Sequence, residues 1–207
     1  MGMDISVKKT KSNMNKIADI LFYLAYGIEL GILLIDKSAL LNPFEGRLFQ
    51  ITFILCLLKV FLTKYNTKEW LLIGVFCLLG VASYLATDRN EIIRVVMFVA
   101  ASKGINIKKM MKYTFYVTLA GVLLLMLLSA GGILGWNYVE SDFDGEGPGG
   151  LIRRYCFGLG HPNAFHCMMW TLILLAMYLW LEKMKWFHFA LFALLNVTAG
   201  YFTKSKD

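Results

Sequence analysis

The residues of this chain best suited to chemistry lie in one short run, Arg153-Arg154-Tyr155-Cys156-Phe157-Gly158-Leu159-Gly160-His161-Pro162-Asn163. Arginine presents a planar fork that pairs two donors with a phosphate. At a membrane surface, Arg153 and Arg154 suit a lipid pyrophosphate; as interfacial anchors they would contact ordinary headgroups instead. His161 precedes Pro162, and proline is favoured in the first turn of a helix. A helix N-terminus favours the neutral form of a nearby imidazole, which can then accept a proton as a general base. The alternative is a histidine that caps the helix or packs in a bundle. Asn163 has the same duality: it caps the helix or binds a sugar hydroxyl. Gly158 and Gly160 let the backbone bend or approach another segment closely. His166 and Cys167, further along, read as packing residues.

The elements that must position this run are membrane helices. Of 207 residues, 58% are apolar and 17% charged, with a mean hydropathy of +0.60. A soluble domain has about 45–50% apolar and about 25% charged residues. The apolar residues come in long blocks, enough for about seven spans of roughly 20 residues with short connections. They run from Ile17 to Ile35, Leu48 to Leu62, Trp70 to Thr87, Ile92 to Ile107, Tyr113 to Gly135, Ala164 to Leu181 and Trp186 to Phe202. Such runs must be helical in lipid, where each backbone polar group needs an internal partner. The expected fold is an all-α polytopic bundle, a single transmembrane domain over residues 1–207.

Lysine and arginine bias orients the bundle. Lys8, Lys9, Lys11, Lys16, Lys64, Lys68, Lys103, Lys108, Lys109, Lys112, Lys183 and Lys185 fall on one side. The other side has fewer basic residues and gathers Asp36, Glu45, Asp88, Glu91, Glu140, Asp142, Asp144 and Glu146. The N-terminal tail, residues 1–16, is therefore expected in the cytoplasm, and the loop 137–161 outside. The net charge of +7 belongs to cytoplasmic connections, which speaks for membrane topology and not for nucleic acid. The fourth span is the weak one, with Arg94 and Lys103 inside its ends. The charge pattern requires it to cross; an interfacial amphipathic helix is the other reading. The first span contains Asp19 and Glu29 and lacks a small-residue cleavage site, so it reads as a retained helix rather than a signal peptide.

The outer loop has an acidic half, ending in a Gly-Glu-Gly-Pro-Gly-Gly hinge at 145–150, and a basic aromatic half. The acidic half reads as a solvated loop, since it lacks the spacing of a calcium loop. Cys56, Cys77, Cys156 and Cys167 are scattered without a C-x-x-C pair, so no metal or cofactor is expected.

The stretch from Arg154 through Asn163, entering an apolar helix, resembles the Wzy-type O-antigen and capsular polysaccharide polymerases, a family similar in fold to the O-antigen ligases. The end of the chain, Tyr201-Phe202-Thr203-Lys204-Ser205-Lys206, is similar to that family's Tyr-x-x-Thr-x-Ser-Arg motif. The resemblance implies metal-independent polymerisation of oligosaccharide repeats carried on undecaprenyl pyrophosphate, at the outer face of the bacterial cytoplasmic membrane, in capsule or exopolysaccharide biosynthesis. It implies Arg153, Arg154, Asn163 and Lys206 as substrate-binding residues and His161 as the catalytic one. Its partners would be the lipid-linked oligosaccharide, membrane lipids, a flippase and a chain-length regulator. Neutralising the departing pyrophosphate would be the larger catalytic effect.

Two departures from the family pattern set further expectations. Family members are longer, with more spans and a second cationic outer loop, so this chain is expected to be an incomplete copy of the family domain. Lys206 stands where the pattern has arginine, and lysine lacks the bidentate fork. Two other classes stay open. One is an intramembrane cysteine peptidase using His161 and Cys167, although both fall on the outer side with no acidic partner close in sequence. The other is a non-catalytic protein that binds lipid-linked saccharide or a membrane partner.

Overall fold

The computed structural model describes residues 2–134, 138–142 and 151–203. The hinge at 145–150 and Lys206 lie outside these residues. Seven α-helices are described: α1 (Gly2–Asp36), α2 (Glu45–Leu62), α3 (Thr67–Thr87), α4 (Glu91–Ala101), α5 (Ile107–Ala130), α6 (Pro162–Trp180) and α7 (Trp186–Thr203). Four segments are long and apolar enough to cross a membrane: Met14–Asp36, Thr67–Thr87, Ile107–Ala130 and Pro162–Lys183. The last continues α6 through a 3₁₀ turn at Leu181–Lys183. Helices α2 and α7 have 18 residues each, but α2 carries Glu45, Arg47 and Lys59, and α7 carries His188 and Asn196.

Three features differ from expectation. Helix α1 begins at Gly2, so the segment read as a tail is helical from the start. Helix α4 has 11 residues and rises about 16 Å, little more than half of a hydrocarbon core of roughly 30 Å. It stops at Ala101 because the chain turns at Ser102, and because the Asn106 side chain accepts from the Lys109 N–H at 3.0 Å to cap α5. Among its described residues, the loop 137–161 is not irregular throughout. Strands β1 (Tyr138–Asp142) and β2 (Leu151–Tyr155) pair antiparallel, so a β-hairpin interrupts the all-α plan. Its strands, Tyr-Val-Glu-Ser-Asp and Leu-Ile-Arg-Arg-Tyr, do not alternate at period two; the register sets Tyr138 opposite Tyr155 and Glu140 opposite Arg153, cross-strand pairs that suit an antiparallel ribbon.

The chain divides into two compact units, with α1 running through both. Unit one comprises Met1–Glu29 and Phe44–Ile105, and unit two comprises Leu30–Pro43 and Asn106–Asp207.

In unit one, one stripe of α2 is polar at three- and four-residue spacing: Thr52, Cys56, Lys59 and Thr63. Thr52 and Cys56 are buried, and Lys59 is only 3% exposed. Lys59 Nζ donates to Thr63 Oγ1 at 2.8 Å and to the Lys103 carbonyl at 2.9 Å. Tyr65 donates its hydroxyl to the Ala100 carbonyl at 2.8 Å, and burial raises the pKa of that phenol. Together these bonds bring the end of α4 back to where α2 ends and α3 begins. Further along the same interior, Arg94 Nη2 meets Glu29 Oε2 at 2.7 Å and Thr52 donates to Glu29 Oε1 at 2.6 Å. The Arg94 guanidinium also lies over the Phe49 ring, 4.9 Å from its centroid.

Unit two is built on an apolar core of Leu34, Val122, Leu125, Leu134, Leu159, Phe165, Met168 and Ala199. This core fastens the end of α1 to α5, α6 and α7. A polar contact crosses α6 and α7 as well, where His166 Nε2 lies 2.8 Å from Asn196 Oδ1. His166 is thus a packing residue with a hydrogen-bond partner, as a buried imidazole requires.

Candidate functional site

The site at one end of unit two is assembled by the hairpin, the loop after it and three helix ends. Register pairs Tyr138 with Tyr155, Val139 with Arg154 and Glu140 with Arg153. Successive side chains of a strand point to opposite faces, so the two arginines diverge. Arg153 stays on the exposed face, where its Nε donates to Glu140 Oε1 at 3.1 Å and its guanidinium covers the Tyr138 ring. That carboxylate hydrogen bond raises the Arg153 pKa further above its usual range. Arg154 turns inward. Its Nε donates to the Thr203 carbonyl at 2.9 Å, and its Nη2 donates to Asn163 Oδ1 at 2.8 Å. The Thr203 carbonyl is at the last residue of α7, where helix carbonyls lack internal partners and cations are favoured. Rings of Tyr155, Phe157, Phe165 and Phe202 meet at 4.7–6.3 Å and hold the hairpin base against α6 and α7.

The loop between hairpin and α6 is a tight turn. The Leu159 N–H donates to the Cys156 carbonyl at 2.9 Å, with Phe157 at φ 49° and Gly158 at φ 84°. Two consecutive positive φ angles are the I′ pattern, which favours glycine. A side chain at Gly158 would also meet the Leu125 carbonyl at 2.6 Å, and one at Gly160 the Ser38 carbonyl at 2.9 Å. Both glycines therefore serve close backbone approach, as the sequence suggested. Phe157 tolerates its left-handed conformation because its ring is packed among the aromatic neighbours. Cys156, in the segment expected outside, is fully buried beneath this turn, and burial pushes its pKa up.

The same turn grips the end of α1. The Gly160 N–H donates to the Lys37 carbonyl at 2.8 Å, and the Ala39 N–H donates to the Gly158 carbonyl at 3.2 Å. His161 then caps α6, its Nδ1 accepting the Asn163 N–H at 3.1 Å, with Pro162 in the first turn. Of the two alternatives for Asn163, capping is not the one adopted; its side-chain oxygen takes Arg154. An imidazole that accepts at Nδ1 carries its proton on Nε2. In this arrangement His161 is a hydrogen-bond donor, and acting as a base would require the ring to leave the cap.

These segments enclose a cavity of about 590 Å³, lined among others by Asp36, Lys37, Ser38, His161, Asn163 and Cys167. The structure thus brings together His161, Asn163 and, through Asn163, Arg154. It does not bring Arg153 into the cavity lining. Asp36, Lys37 and Ser38 are the residues that sequence reasoning missed. Their only signal was a pair of opposite charges at the end of an apolar span, which reads equally well as a solvated helix end.

No family model matches the chain, and no curated protein or solved structure matches it. The class defined by the fold is a helical protein in which four segments are long and apolar enough to cross a membrane.

Proposed function

We propose that this chain is a multi-pass protein of the bacterial cytoplasmic membrane that acts on undecaprenyl-pyrophosphate-linked oligosaccharide at the outer face, as a polysaccharide polymerase does. The observation that carries the reading is the bond from Arg154 to the Thr203 carbonyl. Arg154 and Thr203 belong to the two separate stretches that resemble the polymerase family, lie 49 positions apart, and meet beside a polar cavity at one end of unit two. Generic hydrophobic helices give no reason for those two stretches to meet.

The seven-segment topology with a cytoplasmic N-terminus belongs to this proposal. Helix α4 is too short to span alone. The bonds of Lys59, Tyr65 and Lys103 nevertheless return the chain to the end where α2 leaves. That return supports the reading in which the connections carrying Lys64, Lys68 and Lys103 share one side, as the charge bias requires.

In the transfer step, an acceptor hydroxyl oxygen forms a bond to the anomeric carbon of the donor sugar. The bond from that carbon to the pyrophosphate oxygen breaks, the pyrophosphate leaves with the electron pair, and the hydroxyl proton passes to water or to the departing pyrophosphate. Oriented donors that meet the growing negative charge lower the barrier. His161, as an Nε2 donor, is one such group. Arg154 fixes Asn163 and the end of α7, so it acts as a positioning residue. The same geometry disfavours the cysteine peptidase reading. His161 and Cys167 share the cavity, but the ring's Nδ1 is committed to its cap, so no orienting carboxylate can bind there.

Deletion of the gene in its host, with electrophoresis of surface polysaccharide, tests the function. Loss of the polymer ladder with retention of single repeat units is expected. An unchanged ladder rejects the polymerase reading.

A further inference from the structure

Resting on the proposed handling of a lipid-linked saccharide, we infer that the Asp36–Lys37 step at the end of α1 is the ligand-binding edge of the cavity, with Lys37 holding the carrier's pyrophosphate and Asp36 accepting hydroxyl hydrogen bonds from the sugar. The sequence motif draws attention to the arginines, yet neither is available in this way. Arg153 is neutralised by Glu140 on the hairpin's exposed face. Arg154 spends its Nε and Nη2 on Thr203 and Asn163. Lys37 lines the cavity, and among the described residues neither it nor Asp36 forms an ion pair.

Lys37 is also held in place, unlike a lysine that merely anchors a helix at an interface. Its carbonyl accepts the Gly160 N–H, one residue before His161. The next residue, Ser38, is buried and donates its hydroxyl to the Ile35 carbonyl at 2.6 Å. The backbones that carry Lys37 and His161 are therefore joined by two hydrogen bonds, from the Gly160 N–H to the Lys37 carbonyl and from the Ala39 N–H to the Gly158 carbonyl, while the Lys37 side chain is exposed at the cavity. A cation at a helix C-terminus is favoured by the helix dipole, and it remains a point charge for phosphate. Asp36 beside it would repel a bare anion, while it suits hydroxyl donors. One cation, one carboxylate, an amide and an imidazole donor in a single cavity match a ligand with a phosphate end and a sugar end. Inorganic phosphate lacks the second, and an ordinary lipid tail lacks both.

The test uses the full chain in phospholipid nanodiscs, with undecaprenyl pyrophosphate as probe and with undecaprenol and inorganic pyrophosphate as comparison ligands. Wild type should bind undecaprenyl pyrophosphate and show no comparable affinity for the other two. Lys37→Ala should weaken that binding roughly tenfold or more, the loss of one charge-assisted contact. Lys37→Arg should restore most of it. Asp36→Asn should bind the sugar-free probe as well as or better than wild type, because a like charge is removed. Arg153→Ala should leave binding unchanged. No binding by wild type overturns the functional reading, and this inference with it. Wild-type binding that Lys37→Ala leaves intact overturns the inference alone. So does a loss confined to Arg153→Ala.

Discussion

Two groups of charges are built in opposite ways in this protein: one lies in the interior of unit one, and the other is exposed at the end of α1. In unit one, Glu29, Thr52 and Arg94 complete one another: both carboxylate oxygens of Glu29 are engaged, at 2.6 and 2.7 Å, and the guanidinium also covers Phe49. In unit two, Asp36 and Lys37 form no ion pair among the described residues and line a cavity with His161. A charge in a membrane helix is expensive wherever it sits. The difference lies in who meets the expense. Where the chain supplies every partner, the charges are scaffold, joining α1, α2 and α4. Where partners are missing and a cavity faces the charges, a ligand is the natural complement.

The largest expected effect falls on the charges of unit one. Arg94→Ala leaves the Glu29 carboxylate without its cation, a loss of up to roughly 3–5 kcal/mol, and Glu29→Ala should cost less, because Arg94 keeps Glu45 at 4.0 Å. Either variant should lower the thermal midpoint sharply and reduce the amount of folded protein recovered in detergent. The paired change Glu29→Gln with Arg94→Met should recover much of that loss, because no uncompensated charge remains. If the single variants are as stable as wild type, the cluster is not scaffold, and the contrast with unit two disappears.

The next effect falls on the site. His161→Asn keeps an acceptor for the Asn163 N–H, so the α6 cap survives. It removes the Nε2 donor. In the transfer assay the rate should fall about 10²–10³-fold, the loss expected for one oriented donor to developing negative charge. Abundance and thermal midpoint should stay close to wild type. A variant with unchanged rate would make His161 a cap only, and would shift the burden of charge stabilisation to Lys37.

How much of this was legible in the sequence depends on range. The apolar runs beginning at Ile17, Leu48, Trp70, Tyr113, Ala164 and Trp186 each coincide with a helix, because hydropathy is a local signal, although α1 begins far before Ile17 and α5 runs from Ile107 to Ala130 instead of from Tyr113 to Gly135. The fourth run was extended past Ala101 because Ile105 and Ile107 look like its continuation. The Asn106 cap, a short-range polar signal, overrides them. The hairpin has no period-two signal, since Tyr138-Val139-Glu140-Ser141-Asp142 does not alternate, and its acidic content reads as a solvated loop. Arg153 and Arg154 looked like a pair because they are adjacent; strand geometry separates adjacent side chains, and only the register assigns each its partner. Glu29 and Arg94 were both visible as charges in apolar runs. Their union across 65 positions was not, and neither was the grip of Gly160 on Lys37. Pairings of that range come from packing, which a single sequence does not print.

The smallest effect is a labelling difference, and it sharpens the comparison by asking which side of the membrane the cavity faces. Cys167 is exposed and lines the cavity; Cys156 is buried under the Phe157–Gly158 turn with its thiol pKa raised, so almost no thiolate is present near neutral pH. In cells stripped of their wall, an impermeant maleimide should label a variant retaining only Cys167. It should leave a variant retaining only Cys156 unmodified until the protein is unfolded. Labelling of Cys167 only after permeabilisation would put the cavity on the cytoplasmic side, where a polymerase of outer-face repeats has no substrate. Equal labelling of both cysteines would mean that the turn does not seal Cys156, and that the backbone links from Gly158 and Gly160 to the end of α1 are not held in solution. Lys37 would then lose its fixed place beside His161, and the two clusters would differ in exposure alone.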